Sequence, residues 1–484
     1  DLQENSNCSV NISRRNNCSR KGKKIGGQRM KIKLQSVLRL LVIAALLMLP
    51  ISLLGCESKN TYIASGRVVY EGNGQGFPSA VLSFGPFGIA ITDLQGNWVK
   101  SGLQGTVTIT PAGGGWIFTP ANVAISKATD GILIKAKLHE PTSLPTKVGA
   151  GRDYSVARKD NGTVWAWGEN GYGKLGDGST ANRTTPVQVS GLEGVKAIAA
   201  GHYHTVALKD NTTVWAWGHN VIGQLGDGTK TDRTTPVQVS GLSDVTAIAA
   251  GFRYSVILKD EGSVWAWGLN VNGQLGDGTN VDRTTPVIVS GLDNVLAIAT
   301  GTEHTVVLKT DGTVWAWGGN GSGRLGDGTT YSRNTPVQVN GLGNVAAIAA
   351  GYNHTIALKT DGTVWAWGDN YFGQLGDGTK TTCYTPVQVK GLSDVAAITA
   401  GCFYTVALKT DGTVWAWGVN TFGQLGDGTT TTRIEPAKIS SLNNVSAIAA
   451  GNNHVVALKA DGTVWAWGHN AAGQLGDGTT NNRS

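Results

Sequence analysis

VTAIAAGFRYSVILKDEGSVWAWGLNVNGQLGDGTNVDRTTPVIVSG, residues 245–291, is the stretch whose reading decides the fold. It contains four strand-like runs: Val245–Gly251, Tyr254–Asp260, Ser263–Gly268 and Thr285–Gly291. Gly-rich turns separate them, as they separate the strands of antiparallel sheets. The same unit recurs every 50 residues, with VWAWG beginning at Val164, Val214, Val264, Val314, Val364, Val414 and Val464, each time followed by G(Q/K/R)LGDG. A period near 50 with short strands predicts a propeller or a solenoid, and four antiparallel strands per unit make each unit a propeller blade. The fold class is therefore all-β, with a seven-bladed β-propeller over residues 146–484. The seventh unit stops at Asn482-Arg483-Ser484, before its TPVQV-like segment, so the last blade is incomplete. Either the chain is a fragment, the preferred reading, or an N-terminal strand such as Ile132–Leu138 closes the ring.

Working outward, residues 61–138 change to short alternating runs broken by Gly and Pro, for example Thr106-Val107-Thr108-Ile109-Thr110. They predict a small antiparallel β-sandwich. Residues 30–56 read as an export signal: Lys31, Lys33 and Arg39 precede an apolar run from Leu40 to Leu54. That run ends in Leu53-Leu54-Gly55-Cys56, which resembles the lipobox of bacterial lipoproteins and would make Cys56 the lipidated residue; an uncleaved membrane anchor is the competing reading. Both predict an exported chain, lipid-anchored to the cell envelope or secreted. Residues 1–29 are polar, without apolar periodicity, and read as a non-native or disordered leader ahead of Met30.

The formal charge of +7 is concentrated at the N-terminus. Residues 1–56 hold ten Lys or Arg and two acids, leaving 30 basic against 31 acidic residues thereafter. With no basic stripe to attract phosphates, a nucleic-acid partner is not expected. Of the five cysteines, Cys383 and Cys402 alone fall in the repeats outside leader and signal, and their pairing is left open.

Within the repeat, the two tryptophans of each VWAWG lie two apart, hence on one face of their strand, and the fourteen rings are expected to pack blade against blade. Asp311-Gly312, Asp361-Gly362 and Asp411-Gly412 read as hairpin turns with positive backbone dihedrals. The LGDG aspartates, Asp177 to Asp477, read as caps of their own turns rather than calcium ligands. One column alternates His204, His304, His354 and His454 with Tyr154, Tyr254 and Tyr404. Tyrosine is a poor zinc ligand, so the column reads as a packing and hydrogen-bonding position; no metal or cofactor is expected. No nucleophile, base and orienting acid recur together, so no catalytic residue is assigned.

These residues, GxxHTVALKxDGTVWAWG followed by NxxGQLGDGT and TPVQV, resemble the repeats of the regulator of chromosome condensation family. The resemblance covers residues 146–484 and implies a seven-bladed propeller. It also implies two functional precedents: nucleotide exchange on a small nuclear GTPase with chromatin binding, and clamping inhibition of enzymes by secreted bacterial relatives. No exchange wedge matches residue by residue. The segment Ile91–Pro111, followed by Phe118-Thr119-Pro120, resembles prealbumin-like or carboxypeptidase-regulatory-like surface modules.

Comparing the units with one another shows where they diverge. The pair after the strand-ending Gly varies, as do the positions flanking the Asn after VWAWG. In a four-stranded meander both loops lie on one side of the blade. The candidate binding rim is His202, Tyr203, Phe252, Arg253, Tyr352, Tyr371, Phe372, Phe403 and Phe422, a set of exposed aromatic and charged residues suited to a protein partner. The expectation is a non-enzymatic binding module for adhesion or inhibition. A polysaccharide hydrolase or lyase is the alternative, with Glu169, Glu303 and Asp369 as its only carboxylate candidates; exchange activity by family analogy is a third reading.

Overall fold

A computed structural model describes residues 147–484 throughout and, between residues 62 and 138, eight strands. The leader, the signal segment and Cys56 lie outside the described residues. Strands are numbered β1–β35 in chain order.

The first eight form two four-stranded sheets. One has the order β4 (Asn97–Leu103), β1 (Tyr62–Tyr70), β8 (Thr129–Leu138), β6 (Trp116–Thr119); the other has β3 (Ile89–Ile91), β2 (Val81–Ser83), β5 (Val107–Ala112), β7 (Val123–Ile125). The sandwich is not wholly antiparallel, because β1 runs parallel to β8. This placement also removes Ile132–Leu138 as the strand that closes the propeller: it pairs with β1 and β6 instead.

The propeller has seven sheets, each a simple antiparallel meander. The third is typical: β17 (Val245–Ala250), β18 (Tyr254–Lys259), β19 (Val264–Gly268) and β20 (Arg283–Ile288) lie in that order. A bulge between Ala266 and Gly268 lets β20 begin two residues before the expected Thr285. Pro286 sits in this outermost strand, where a missing amide donor costs no ladder bond. The second and third strands are almost wholly buried, while the first and the outermost are partly exposed.

The seventh sheet has three strands, β33 (Val445–Ala450), β34 (His454–Lys459) and β35 (Val464–Gly468), followed by a single bridge between Gly468 and Arg483. The ring nevertheless closes, because the seam between blades seven and one repeats the bonds of the other seams. The second tryptophan of each VWAWG donates its indole N–H to a carbonyl of the preceding blade: Trp217 to Lys174 O, Trp267 to Gln224 O and, across the closing seam, Trp167 to Gln474 O, each at 2.9 Å. Ser155 and Thr205 hydroxyls donate to the same carbonyls of Gln474 and Lys174. The indole comes this close because the LGDG glycines have no side chain. A Cβ at Gly226, where φ is +73°, would lie 2.6 Å from Trp267 Nε1.

Only this second tryptophan is a full seam residue: Trp217, Trp267, Trp317, Trp367 and Trp417 are completely buried. The first sits half-buried at the outer edge, with a lysine ammonium 5.4 Å above the Trp265 ring, for example. The His/Tyr column is the third seam device. His204 Nε2 bonds Ser255 Oγ at 2.8 Å and His354 Nε2 bonds Thr405 Oγ1 at 3.1 Å, while Tyr154 and Tyr404 donate to the carbonyls of His204 and His454. Both residue types thus reach the next blade, which explains their interchange. All seven are fully buried.

Two turns differ from or extend their expected form. In the Asp-Gly hairpins only the glycine has positive φ, +78° at Gly312. Gly312 N bonds Lys309 O and Lys309 N bonds Thr313 O, so a type I turn is followed by one left-handed residue. The LGDG aspartate does cap its turn, with Asp277 Oδ1 accepting from Thr279 N and Oγ1. It is also locked by a bidentate Arg283, a partner repeated in every blade except the fifth, where Cys383 stands. Cys383 and Cys402 are both free thiols.

Candidate functional site

Two loop types build the rim. The loop between the first and second strands is braced by the third: Val419 N bonds Phe403 O at 2.9 Å, and Gly401 N bonds Tyr404 O. The loop after VWAWG is held by its buried Asn, since Asn370 Oδ1 accepts from Leu375 N and its Nδ2 reaches Asp377. The glutamine of GQLGDG then fixes the varied residue itself: Gln374 Oε1 accepts from Phe372 N at 2.9 Å, and Gln424 Oε1 from Phe422 N at 2.8 Å. A rigid, repeated skeleton thus presents the side chains that vary.

Ring contacts between the two loop types, such as Tyr172 with Tyr203 at 5.8 Å and Phe372 with Phe403 at 5.3 Å, place both on one face. Eight of the nine expected rim residues come together there. Tyr203 and His202 meet Phe252 at 5.4 and 5.1 Å, and Arg253 lies 5.4 and 5.1 Å from the Tyr203 and Phe252 rings. Tyr352, Phe403, Phe372 and Tyr371 form a second run, with successive centroids 5.4, 5.3 and 4.9 Å apart. His202 and Tyr352, from blades two and five, face each other at 6.5 Å across the axial mouth and join the two runs. Beneath them is a cavity of about 90 Å³ lined mainly by Ala and Gly, with Thr302 and Cys402. Phe422 is separate and packs on His469 at 4.5 Å.

The rim is less exposed than expected. Tyr371 is 70 % accessible and Tyr172 40 %, but His202, Tyr203, Phe252, Tyr352, Phe372 and Phe403 are half-buried. Their packing on one another removes them from water, which single-sequence reasoning could not count. Burial also sets the protonation of the rim: it pulls His202 down to about 4, so the ring is neutral, and pushes the Cys402 thiol up to about 12, so it is not a thiolate nucleophile.

Sequence reasoning missed the charges under the rim. Lys174, fully buried, ion-pairs with Glu169 and lies 5.2 and 5.7 Å from the Tyr154 and Tyr203 rings. Burial lowers its ammonium to about 8. Arg324 pairs with Glu303 at 3.4 Å and donates to Tyr352 O. The signal was visible, since blades one and four carry Lys and Arg where five others carry Gln. The three carboxylates considered for polysaccharide chemistry are engaged in this framework: Glu169 and Glu303 by those cations, and Asp369 by Tyr371 N at 3.2 Å. Among the described residues no group of His, Cys, Asp and Glu has metal-ligating geometry.

Fold and repeat chemistry together define a seven-bladed propeller built from repeats of the RCC1 type. The regulator of chromosome condensation (RCC1) repeat matches residues 161–208, 212–258 and 261–308, and the RCC1-like domain matches residues 285–484. A similar solved structure is Prp20p from Saccharomyces cerevisiae, described with its binding properties to Gsp1p and histones; it is 25 % identical, with a TM-score of 0.61, covering 67 % of this chain and 85 % of that one. Human WBSCR16 shares the fold at 24 % identity and a TM-score of 0.59, covering 64 % and 85 %. The human E3 ubiquitin-protein ligase HERC2 is 40 % identical over 72 residues, which span 15 % of this chain and 2 % of HERC2.

Proposed function

We propose that this chain is a non-enzymatic binding protein, exported and attached to the cell envelope through Cys56 or released as a secreted protein. Its ligand is a protein, recognised by the rim formed by His202, Tyr203, Phe252, Arg253, Tyr352, Tyr371, Phe372 and Phe403, with Phe422 as an outlying contact. The observation that carries this reading is the aromatic ridge running across the axial mouth, joined at His202 and Tyr352 and flanked by Arg253. Large, pre-packed aromatic rings with arginine lose little conformational entropy on binding, and hot spots are enriched in such residues. The near-neutral charge after Cys56 argues against nucleic acid. Similarity to Prp20p, described for its binding to Gsp1p and histones, supports a protein partner. The small β-sheet module at residues 61–138 acts as spacer between envelope and propeller.

The test is affinity capture from native lysate and medium, run in parallel with a variant carrying Phe252→Ser, Tyr352→Ser and Tyr371→Ser whose fold is checked by circular dichroism. A partner retained by the native chain and lost by the folded variant is the expected result. Equal retention by both, or no partner, refutes recognition by this ridge.

A further inference from the structure

Arg152, Lys174, Arg324 and Arg253 lie at or beneath the aromatic ridge, and the first three are matched to carboxylates. Arg152 Nε stands 3.4 Å from Asp153, Lys174 pairs with Glu169, and Arg324 stands 3.4 Å from Glu303. Arg253 differs. Its side chain makes no hydrogen bond or ion pair among the described residues, and its Nε is fully enclosed.

What encloses it is aromatic. The guanidinium lies 5.4 Å from the Tyr203 ring centroid and 5.1 Å from that of Phe252. Arg152 holds the tyrosine in place by donating from Nη1 to its hydroxyl, and Arg152 and Lys174 themselves stand 5.3 and 5.7 Å from the same ring. Three cations therefore surround one tyrosine, while the two carboxylates beside them, Asp153 and Glu169, are already engaged. His202 and His219 complete the cluster, and burial keeps both neutral at pH 7. Three positive charges against two negative leave one in excess, and it resides on Arg253. The scaffold does not require a cation at this position, because the other units carry Asp153, Tyr203, Glu303, Asn353, Phe403 and Asn453 there.

We propose that Arg253 anchors a glutamate or aspartate side chain of the protein partner, with an apolar residue next to that carboxylate resting on Phe252. This rests on the ridge being a protein-binding face, and it defines the chemistry of what binds its Tyr203 half. A guanidinium enclosed on one edge and lacking a counter-ion has lost hydration without compensation; a carboxylate on its free edge supplies charge-assisted hydrogen bonds. Its stacking on two rings already fixes its plane, so little side-chain freedom remains to be lost on binding. The charge balance selects the anion: one carboxylate neutralises the single excess charge, whereas a phosphate dianion would leave a net negative charge beside Asp153 and Glu169. The other half of the ridge, Tyr352, Phe403, Phe372 and Tyr371, offers rings without an unmatched cation. Charge at one end and apolar rings at the other give the ridge a direction in which a partner docks.

The test labels the arginines of the full chain with nitrogen-15 and follows their Nε–Hε signals by NMR during titration with the peptide acetyl-Phe-Glu-Phe-amide. The Arg253 signal is assigned by its loss in Arg253→Gln, whose fold is checked by circular dichroism. The expected result is a saturable shift of the Arg253 signal, with binding weakened about fivefold to tenfold when the peptide glutamate is replaced by glutamine, because a charge-assisted bond becomes a neutral one. Arg253→Gln should remove the preference for glutamate over glutamine. Equal binding of the two peptides, with the Arg253 signal shifting in both, overturns the carboxylate anchor and leaves the ridge as a protein-binding face. No shift at Arg253, or a shift confined to other arginines, overturns the anchor as well, while recognition by the ridge is decided separately by the capture experiment. The exchange of glutamate for glutamine leaves the protein untouched, so weakened binding there cannot come from misfolding.

Discussion

Acidification should dismantle the propeller at its seams before the carboxylates titrate. His204, His304, His354 and His454 are fully buried, and burial pulls His204 and His354 down to about 3, His454 to about 4 and His304 well below its ordinary value. In the unfolded chain each returns to about 6.5. The unfolded state therefore binds the extra protons, and stability present at neutral pH is lost as pH falls from about 6.5 towards 4. At pH 5 each histidine costs about 2 kcal/mol, at about 1.4 kcal/mol per pH unit, so the four together cost about 8 kcal/mol. That rivals the whole stability of a typical domain, about 5–15 kcal/mol. Urea unfolding followed by tryptophan fluorescence at pH 7.5 and 5.0 measures the loss. His204→Tyr, which installs the residue used at this position in three other blades, should recover about 2 kcal/mol of the pH-dependent part. An unchanged urea midpoint between the two pH values would refute the claim that these rings are held neutral.

Three further outcomes follow from the same structure. Gly226→Ala places a Cβ against the Trp267 indole at a left-handed backbone position and should cost about 1–3 kcal/mol, read as a lower urea midpoint; no change would contradict the close approach. Cys383→Arg restores the missing partner of Asp377 and should stabilise by about 0.5–1 kcal/mol in the same assay. Lys174, lowered by burial to about 8, makes the native chain gain stability as pH rises from about 8 towards 10.5; Lys174→Gln should flatten that rise, measured as urea midpoints at pH 7.5 and 9.5.

The propeller was legible because its information is repeated. VWAWG, the Asp-Gly turns and the LGDG run each have one physical job per blade, and seven copies separate signal from drift. The His/Tyr column was legible for the same reason: interchange pointed to a seam role before His204–Ser255 and Tyr154–His204 were seen. Long-range pairings were not legible. Alternation in Ile132–Leu138 signals a strand and nothing of its partner, and it pairs with β1 and β6 rather than with the open blade. The Asp-Gly dipeptide admits two turn types, and loop length chose the one with a single left-handed residue. At the rim, residue type located the ridge, but burial depended on contacts between blades, such as His202 with Tyr352, that are 150 positions apart in sequence. Lys174 and Arg324 were hidden because they occupy a scaffold position where Gln is usual.

The most direct test of the binding face compares two photocrosslinking chains in native extract, one with a benzophenone amino acid at Tyr371, on the exposed end of the ridge, and one with it at Asp361, in the hairpin between the second and third strands. The account predicts a discrete crosslinked protein from position 371 and none from position 361; equal products from both positions, or from 361 alone, would contradict it.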